Sequence, residues 1–277
     1  MVLALGVRPQ RRVGGLGLAT AAAFIAWELH TEHPLLDPKL FTKPAFAAGT
    51  LSICLQLFAF FGFVFVNMQY LQLVRADTAL IAAVSLLPTA AAMTPSARLS
   101  PVVVRRLGAR LCCVTGLLLV TVALVVLAQL DAPSSYWLVV AGLLPLAAGM
   151  GLAMIPATSA VTDSLPSALP GVGSAVNDLP RERGGAVGIA VLASLLSTTH
   201  RSSLTLPGLP ADLVEKARSS LGVAAHLGGP VLTQAQAAFV DGMHVALLTA
   251  AATTAFAALA VMVLLRPHQT SAAEASC

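Results

Sequence analysis

The sequence predicts an all-α integral membrane protein, and three observations carry that expectation. Hydrophobic residues make up 57% of the 277 and charged residues only 10%, whereas soluble domains carry roughly 25% charged residues. Uncharged runs occupy 45–74, 78–97, 111–130, 132–162, 184–200 and 242–265, and a spanning helix needs about 20 apolar residues, with a working range of roughly 17 to 25. Backbone amides in hydrocarbon must be satisfied within their own segment, so such runs are helices rather than lone strands.

Six spanning helices follow, the run 184–200 being at the lower limit. The run 13–27 is short for a crossing and reads as a partial helix. The domain plan is then a partial helix and linker over 1–43, a transmembrane bundle over 44–265 and a polar tail over 266–277. Within the bundle the one long connection, about 203–238, has its own helical signal. Pro210, Asp212 and Glu215 stand early and Lys216 and Arg218 later, while Leu213, Val214, Ala217 and Leu221 form one apolar stripe. It reads as an amphipathic helix on the outer surface, or as a plain surface loop.

Basic residues set an orientation. Lys39, Lys43, Arg98, Arg105, Arg106, Arg110, Arg181, Arg183 and Arg266 fall in alternate connections, against Arg75, Arg201, Lys216 and Arg218 in the others. The richer set belongs in the cytoplasm, which puts the C-terminus there too. Arg8, Arg11 and Arg12 would fall outside if 13–27 crossed, a conflict that favours a surface or remnant helix. The net charge of +4 therefore reports topology and carries no nucleic-acid inference. Cys54, Cys112 and Cys113 lie inside apolar runs and Cys277 is terminal, so neither a disulfide framework nor metal-ligand spacing is visible.

Four places carry polar or aromatic chemistry. The first long helix holds Phe58, Phe60, Phe61, Phe63 and Phe65, half of the ten phenylalanines, with Gln56, Asn67, Gln69 and Gln72 among them. Aromatic faces and amides suit a flat lipophilic cation; lipid-facing rings are the alternative, but the amides must face protein or water. Residues 96–110, with Arg98, Arg105, Arg106 and Arg110 around Gly108, make a tight basic turn. It is either a positive-inside loop or a gating hinge. The fourth helix carries Gly142, Pro145, Gly149, Gly151, Met154 and Pro156, which allow bending and close packing. The stretch 171–188, GVGSAVNDLPRERGGAVG, brings Asn177, Asp178, Arg181 and Glu182 to a helix mouth. There Asp178 pairs with Arg181 or caps a helix starting near Pro180, and Gly184 and Gly188 make a small-xxx-small face. No Gly-x-Ser-x-Gly, His-Glu-x-x-His or Walker sequence occurs, so no enzyme, catalytic residue, metal or cofactor is expected.

With these in view, His33-Pro-Leu-Leu-Asp-Pro-Lys-Leu-Phe41, Gln69-Tyr-Leu-Gln72, Leu86-Leu-Pro88, Ser134-Ser-Tyr-Trp137, Gly149-Met-Gly151 and the 171–188 stretch resemble the EmrB/QacA type. These are fourteen-helix drug:proton antiporters of the major facilitator superfamily. The resemblance implies the C-terminal half of such a protein: a six-helix bundle plus a partial helix, without the half that holds the usual proton-coupling acid. It implies a multi-pass plasma-membrane transporter exporting lipophilic or cationic compounds against protons by alternating access, completed by a missing N-terminal half or a second copy. It places Asp178 and Glu182 where some relatives have acids handling substrate or protons, with Pro180 and Arg183 as departures. Gln56, Phe60, Asn67, Met154 and Asn177 join them as candidate pathway residues. The alternative from another class is a non-transporting membrane scaffold or regulatory subunit.

Overall fold

The computed structural model describes residues 38–132, 134–165, 170–204, 214 and 229–265. The expected partial helix at 13–27, the tail from 266 and all of the amphipathic stripe but Val214 lie outside the described residues.

Every regular element among the described residues is helical. A 3-10 turn, Pro38–Thr42, leads into α1 (Pro44–Gln69), whose first turn opens on a proline with no amide to leave unsatisfied. The helix widens into a π turn at Tyr70–Val74. Next comes α2 (Ala79–Val84), capped by the Thr78 hydroxyl, which accepts from the Ile81 amide at 3.3 Å. After it follow α3 (Leu87–Leu127), α4 (Tyr136–Thr162), α5 (Pro170–Ser203) and α6 (Gly229–Leu264).

Among the described residues, four helical stretches are long and apolar enough to cross a membrane: Pro44–Val74, Ala79–Leu127, Tyr136–Thr162 and Gly229–Leu264. The second, at 49 residues, is two passes rather than one. Gly108 has φ 84° and ψ 156°, a conformation open to glycine and strained for other residues. There the chain doubles back. Ser100 Oγ lies 3.7 Å from Cys112 Sγ, although twelve residues of straight helix would hold them about 18 Å apart. Residues 87–107 and 109–127 are therefore antiparallel arms of a hairpin. Helix α5 falls outside the four because its first half is charged, yet its 34 residues reach roughly 50 Å and pack inside the bundle. Six helical passes result, as the apolar runs predict. Several boundaries differ from expectation: the run 78–97 divides into α2 and the start of α3, and residues 98–107 and 109–110 are helix rather than connection. Helix α5 begins at Pro170, with Pro180 inside it, and α6 begins at Gly229, so residues 229–238 are helix rather than loop.

Contacts fix the directions. Helices α1 and α5 run parallel, with Gly184 against Cys54 and Gly188 against Phe58. Helix α4 runs antiparallel to the second arm of α3, through Gly149 on Gly116 and Gly142 on Leu127. It runs parallel to the first arm, through Tyr136 on Ser85 and Leu152 on Ser100. Between them lie two apolar clusters, and Met154 touches both. One end of the bundle gathers Lys43, the Gly108 turn and the start of α5 and is the basic end; the opposite end holds the α3–α4 turn.

Candidate functional site

Helix α1 carries three of the buried polar residues. Ser52, Gln56 and Asn67 are 0%, 0% and 2% exposed, and steps of four and eleven residues keep them on one helical face. Gln56 Nε2 donates to Ser52 Oγ at 3.1 Å, while Gln56 Oε1 and Asn67 Nδ2 are buried without a hydrogen-bond partner. A buried amide left half-satisfied costs on the order of 1–3 kcal/mol, and Thr50 Oγ1, on the same helix, is also buried without a partner. Of the four amides, Gln56 and Asn67 thus face protein, Gln69 is half-buried and Gln72 is exposed. The phenylalanines do not form one surface. Phe58 and Phe63 are core, Phe61 and Phe65 are exposed, and Phe60 is half-buried with its ring edge-on to Phe61 at 5.6 Å.

At the mouth of α5 the expected pairing is replaced. Asp178 makes no ion pair among the described residues, and, with the helix already running from Pro170, it caps nothing. Its intended partner Arg181 reaches across to α4, donating from Nη2 to Thr158 Oγ1 at 3.1 Å. The reason is facing: Arg181 and Asn177 are half-buried toward the bundle, whereas Asp178 and Glu182 are exposed. Asn177 Oδ1 and Arg181 Nε are buried without partners. Behind this mouth the small-xxx-small face is fully used. A Cβ at Gly184 would lie 2.2 Å from Cys54 O, and one at Gly188 2.1 Å from Phe58 O, so the α1 and α5 backbones touch.

The basic turn is narrower than the stretch 96–110, since residues on both sides of Gly108 are helical. Arg98, Arg105 and Arg106 are exposed, and Arg110 is half-buried with an unpartnered Nε. Met154 sits half-buried on α4, between the two clusters. Also at the basic end, α1, α5, α6 and the 3-10 turn enclose a cavity of about 420 Å³, walled by Phe41, Phe46, Leu51, Val176, Leu179 and Leu264.

No family model matches the chain. Individual relatives do. Over 262 residues it is 30% identical to the multidrug resistance protein Stp of Mycobacterium tuberculosis, covering 87% of this chain and 48% of that protein. Over 243 residues it is 30% identical to the methyl viologen resistance protein SmvA of Salmonella typhimurium, covering 84% and 49%. An uncharacterised MFS-type transporter of Bacillus subtilis, YcnB, is 30% identical over 210 residues, covering 72% and 44%. The chain belongs to the major facilitator superfamily. It spans about half the length of the curated relatives it matches.

As a facilitator bundle, the chain is a multi-pass membrane protein, and its opposite end holds a set of clamps that sequence reasoning missed. Tyr70 donates to Asp131 O at 2.8 Å, and Arg75 donates through Nη1 to Ser134 O at 2.8 Å and through Nε to Asp77 Oδ2 at 3.4 Å. His244 Nε2 is 2.9 Å from Leu130 O, and Gln236 Nε2 donates to the π-turn carbonyls Leu73 O and Val74 O at 3.3 and 3.2 Å. Most of these acceptors are main-chain carbonyls at helix ends. The side chains that seek them, Tyr70, Arg75, Gln236 and His244, are the signal available in the sequence, where each stands out as a polar group beside an apolar run.

Proposed function

We propose that this chain is one bundle of a secondary transporter that exports lipophilic or cationic compounds against protons by alternating access. The observation that carries the reading is similarity through more than four-fifths of the chain to drug-resistance proteins such as Stp and SmvA. In this reading the bundle rocks as a unit against a second bundle, supplied by a separate half or by another copy, around a site near the membrane midplane. It works in the plasma membrane with its basic end and C-terminus in the cytoplasm. Asp178 and Glu182 handle protons or the substrate's charge at the mouth of α5. Gln56, Phe60, Asn67, Met154 and Asn177 serve the pathway, and Arg98, Arg105, Arg106 and Arg110 serve the cytoplasmic turn.

A second reading, a non-transporting scaffold or regulatory subunit, is favoured by one observation: among the described residues no carboxylate is buried. Export of a fluorescent lipophilic cation from cells expressing this chain separates the two. Proton-dependent efflux that disappears in the Asp178→Asn, Glu182→Gln double variant supports the transporter. Efflux equal to that of cells with an empty vector refutes independent transport and supports the second reading.

A further inference from the structure

We infer that the cavity at the basic end is a binding groove for an anionic phospholipid, with its phosphate held by Arg183 and an acyl chain lying along α1 and α5. Four features of the groove carry this.

Its walls are carbon. Phe41 and Phe46 meet edge-on at 5.1 Å at one side, and Leu51, Leu179 and Leu264 close the others. A volume of about 420 Å³ lies in the range of roughly 300–1,000 Å³ that takes a small-molecule-sized ligand. Second, the charged residue lining it is Arg183, whose hydrocarbon stem meets the apolar wall and which is itself exposed, with no hydrogen-bond or ion-pair partner among the described residues. The nearby Lys43 is already committed, donating to Ser164 O at 2.9 Å. A planar guanidinium with free donors suits a phosphate. Third, the rim is apolar where a soluble ligand would want it polar, with Phe41 50% and Leu179 41% exposed. That rim continues an acyl layer rather than an aqueous mouth. Fourth, the groove opens at the end that also bears Lys43, Arg105, Arg106 and Arg181, and such an end faces the leaflet richer in anionic headgroups.

The same features exclude a lipophilic cation. Among the described residues no carboxylate lines the groove, since Asp178 and Glu182 occupy the adjoining exposed face of α5, and Arg183 repels positive charge. The groove is therefore separate from any path that would carry the exported compounds of the proposed function.

The test uses the purified full chain in bilayer discs of phosphatidylcholine, doped with a photoreactive phosphatidylglycerol or, in parallel, a photoreactive phosphatidylcholine. After illumination, adducts are mapped to peptides. Phosphatidylglycerol adducts are expected on the segments around Leu51 and Leu179, with the phosphatidylcholine probe giving about fivefold fewer, the worth of one basic group facing an anionic lipid. Arg183→Gln lowers the phosphatidylglycerol yield by about the same factor, Arg183→Lys retains most of it, and Arg98→Gln, in the basic turn, leaves it unchanged. Arg183 is exposed, so unaltered far-ultraviolet dichroism is expected of the variant. Equal labelling by the two lipids, or labelling indifferent to Arg183→Gln, overturns the proposal. Displacement of the probe by free oleate assigns the groove to a free fatty acid and also overturns it. Cross-links from residues 1–37 or 266–277 into the groove, in place of lipid adducts, show that the chain itself fills it and overturn the proposal equally.

Discussion

The backbone contact between α1 and α5 makes a prediction of opposite sign at two glycines three residues apart. A methyl group at Gly188 would lie 2.1 Å from Phe58 O and 2.7 Å from its carbonyl carbon and Cα. Ordinary contact begins near 3.4 Å, so the helices would have to part by about 1.3 Å. Nothing at the site is the free end of a side chain that could swing away. Overpacking of this kind costs roughly 1–3 kcal/mol, against a helix-propensity gain for Ala over Gly of about 0.8–1.0 kcal/mol. At Gly185 the methyl would meet Phe61 Cδ2 at 2.8 Å, and that ring is 41% exposed and free to rotate outward. Gly185→Ala is therefore expected to be neutral or stabilising by up to about 1 kcal/mol, and Gly188→Ala to be the less stable of the two by roughly 1–3 kcal/mol. Reversible unfolding of the purified chain in mixed micelles, titrated with dodecyl sulfate, reads the difference. Equal stability of the two variants would refute backbone-to-backbone packing of α1 on α5. Gly184→Ala, at 2.2 Å from Cys54 O, should follow Gly188→Ala.

Two further tests probe the interior. Thr254, fully buried, has its hydroxyl 2.9 Å from that of Thr121 across α3 and α6. A double-mutant cycle with valine at both positions should give a coupling of about 0.6 kcal/mol, the average for hydrogen bonds between membrane helices. A coupling indistinguishable from zero would mean that each hydroxyl bonds only within its own helix. Gln56→Leu removes an acceptor with no partner but also the hydrogen bond that Nε2 donates to Ser52 at 3.1 Å, so the two effects offset and unfolding should change by less than about 1 kcal/mol. A large loss would show that Gln56 Oε1 is satisfied by a buried water or ion.

The passes were legible because length and apolarity decide them, and the Gly108 turn was legible because basic residues flank the one glycine between two apolar runs. The Gly184 and Gly188 face was legible for the same kind of local reason, a four-residue spacing. What could not be read was which way each polar side chain faces. Asp178 and Arg181 are correctly spaced for a pair, yet α5 is rotated so that Arg181 points to Thr158 on α4 while Asp178 stays exposed. The five clustered phenylalanines cannot all share a face at 3.6 residues per turn, although 58, 61 and 65 can; Phe58 is nonetheless core, with α5 packed on it at Gly188, while Phe61 and Phe65 are exposed. The opposite-end clamps were hidden because Leu130, Ser134, Leu73 and Val74 contribute only main-chain oxygens, which any residue supplies.

The packing also bears on where a ligand can act. Reaching Gln56 or Asn67 requires α1 to separate from its neighbours. Helix α1 is locked to α5 at Gly184 and Gly188, and to α4 at Gly49, where a Cβ would stand 2.7 Å from Ala157 O. Helix α4 is locked to the second arm of α3 by Gly149, whose Cβ would lie 2.4 Å from Gly116 O. Close-packed seams of this kind shift between discrete arrangements rather than deforming gradually. Seams of this kind are what the proposed rocking of the bundle as one body requires, with movement at its outer faces. By that reasoning Asp178 and Glu182, already exposed beside a rigid seam, are the pair to test for chemistry before the buried amides. Gln56 and Asn67 then matter to function only if both variants at Asp178 and Glu182 leave export intact.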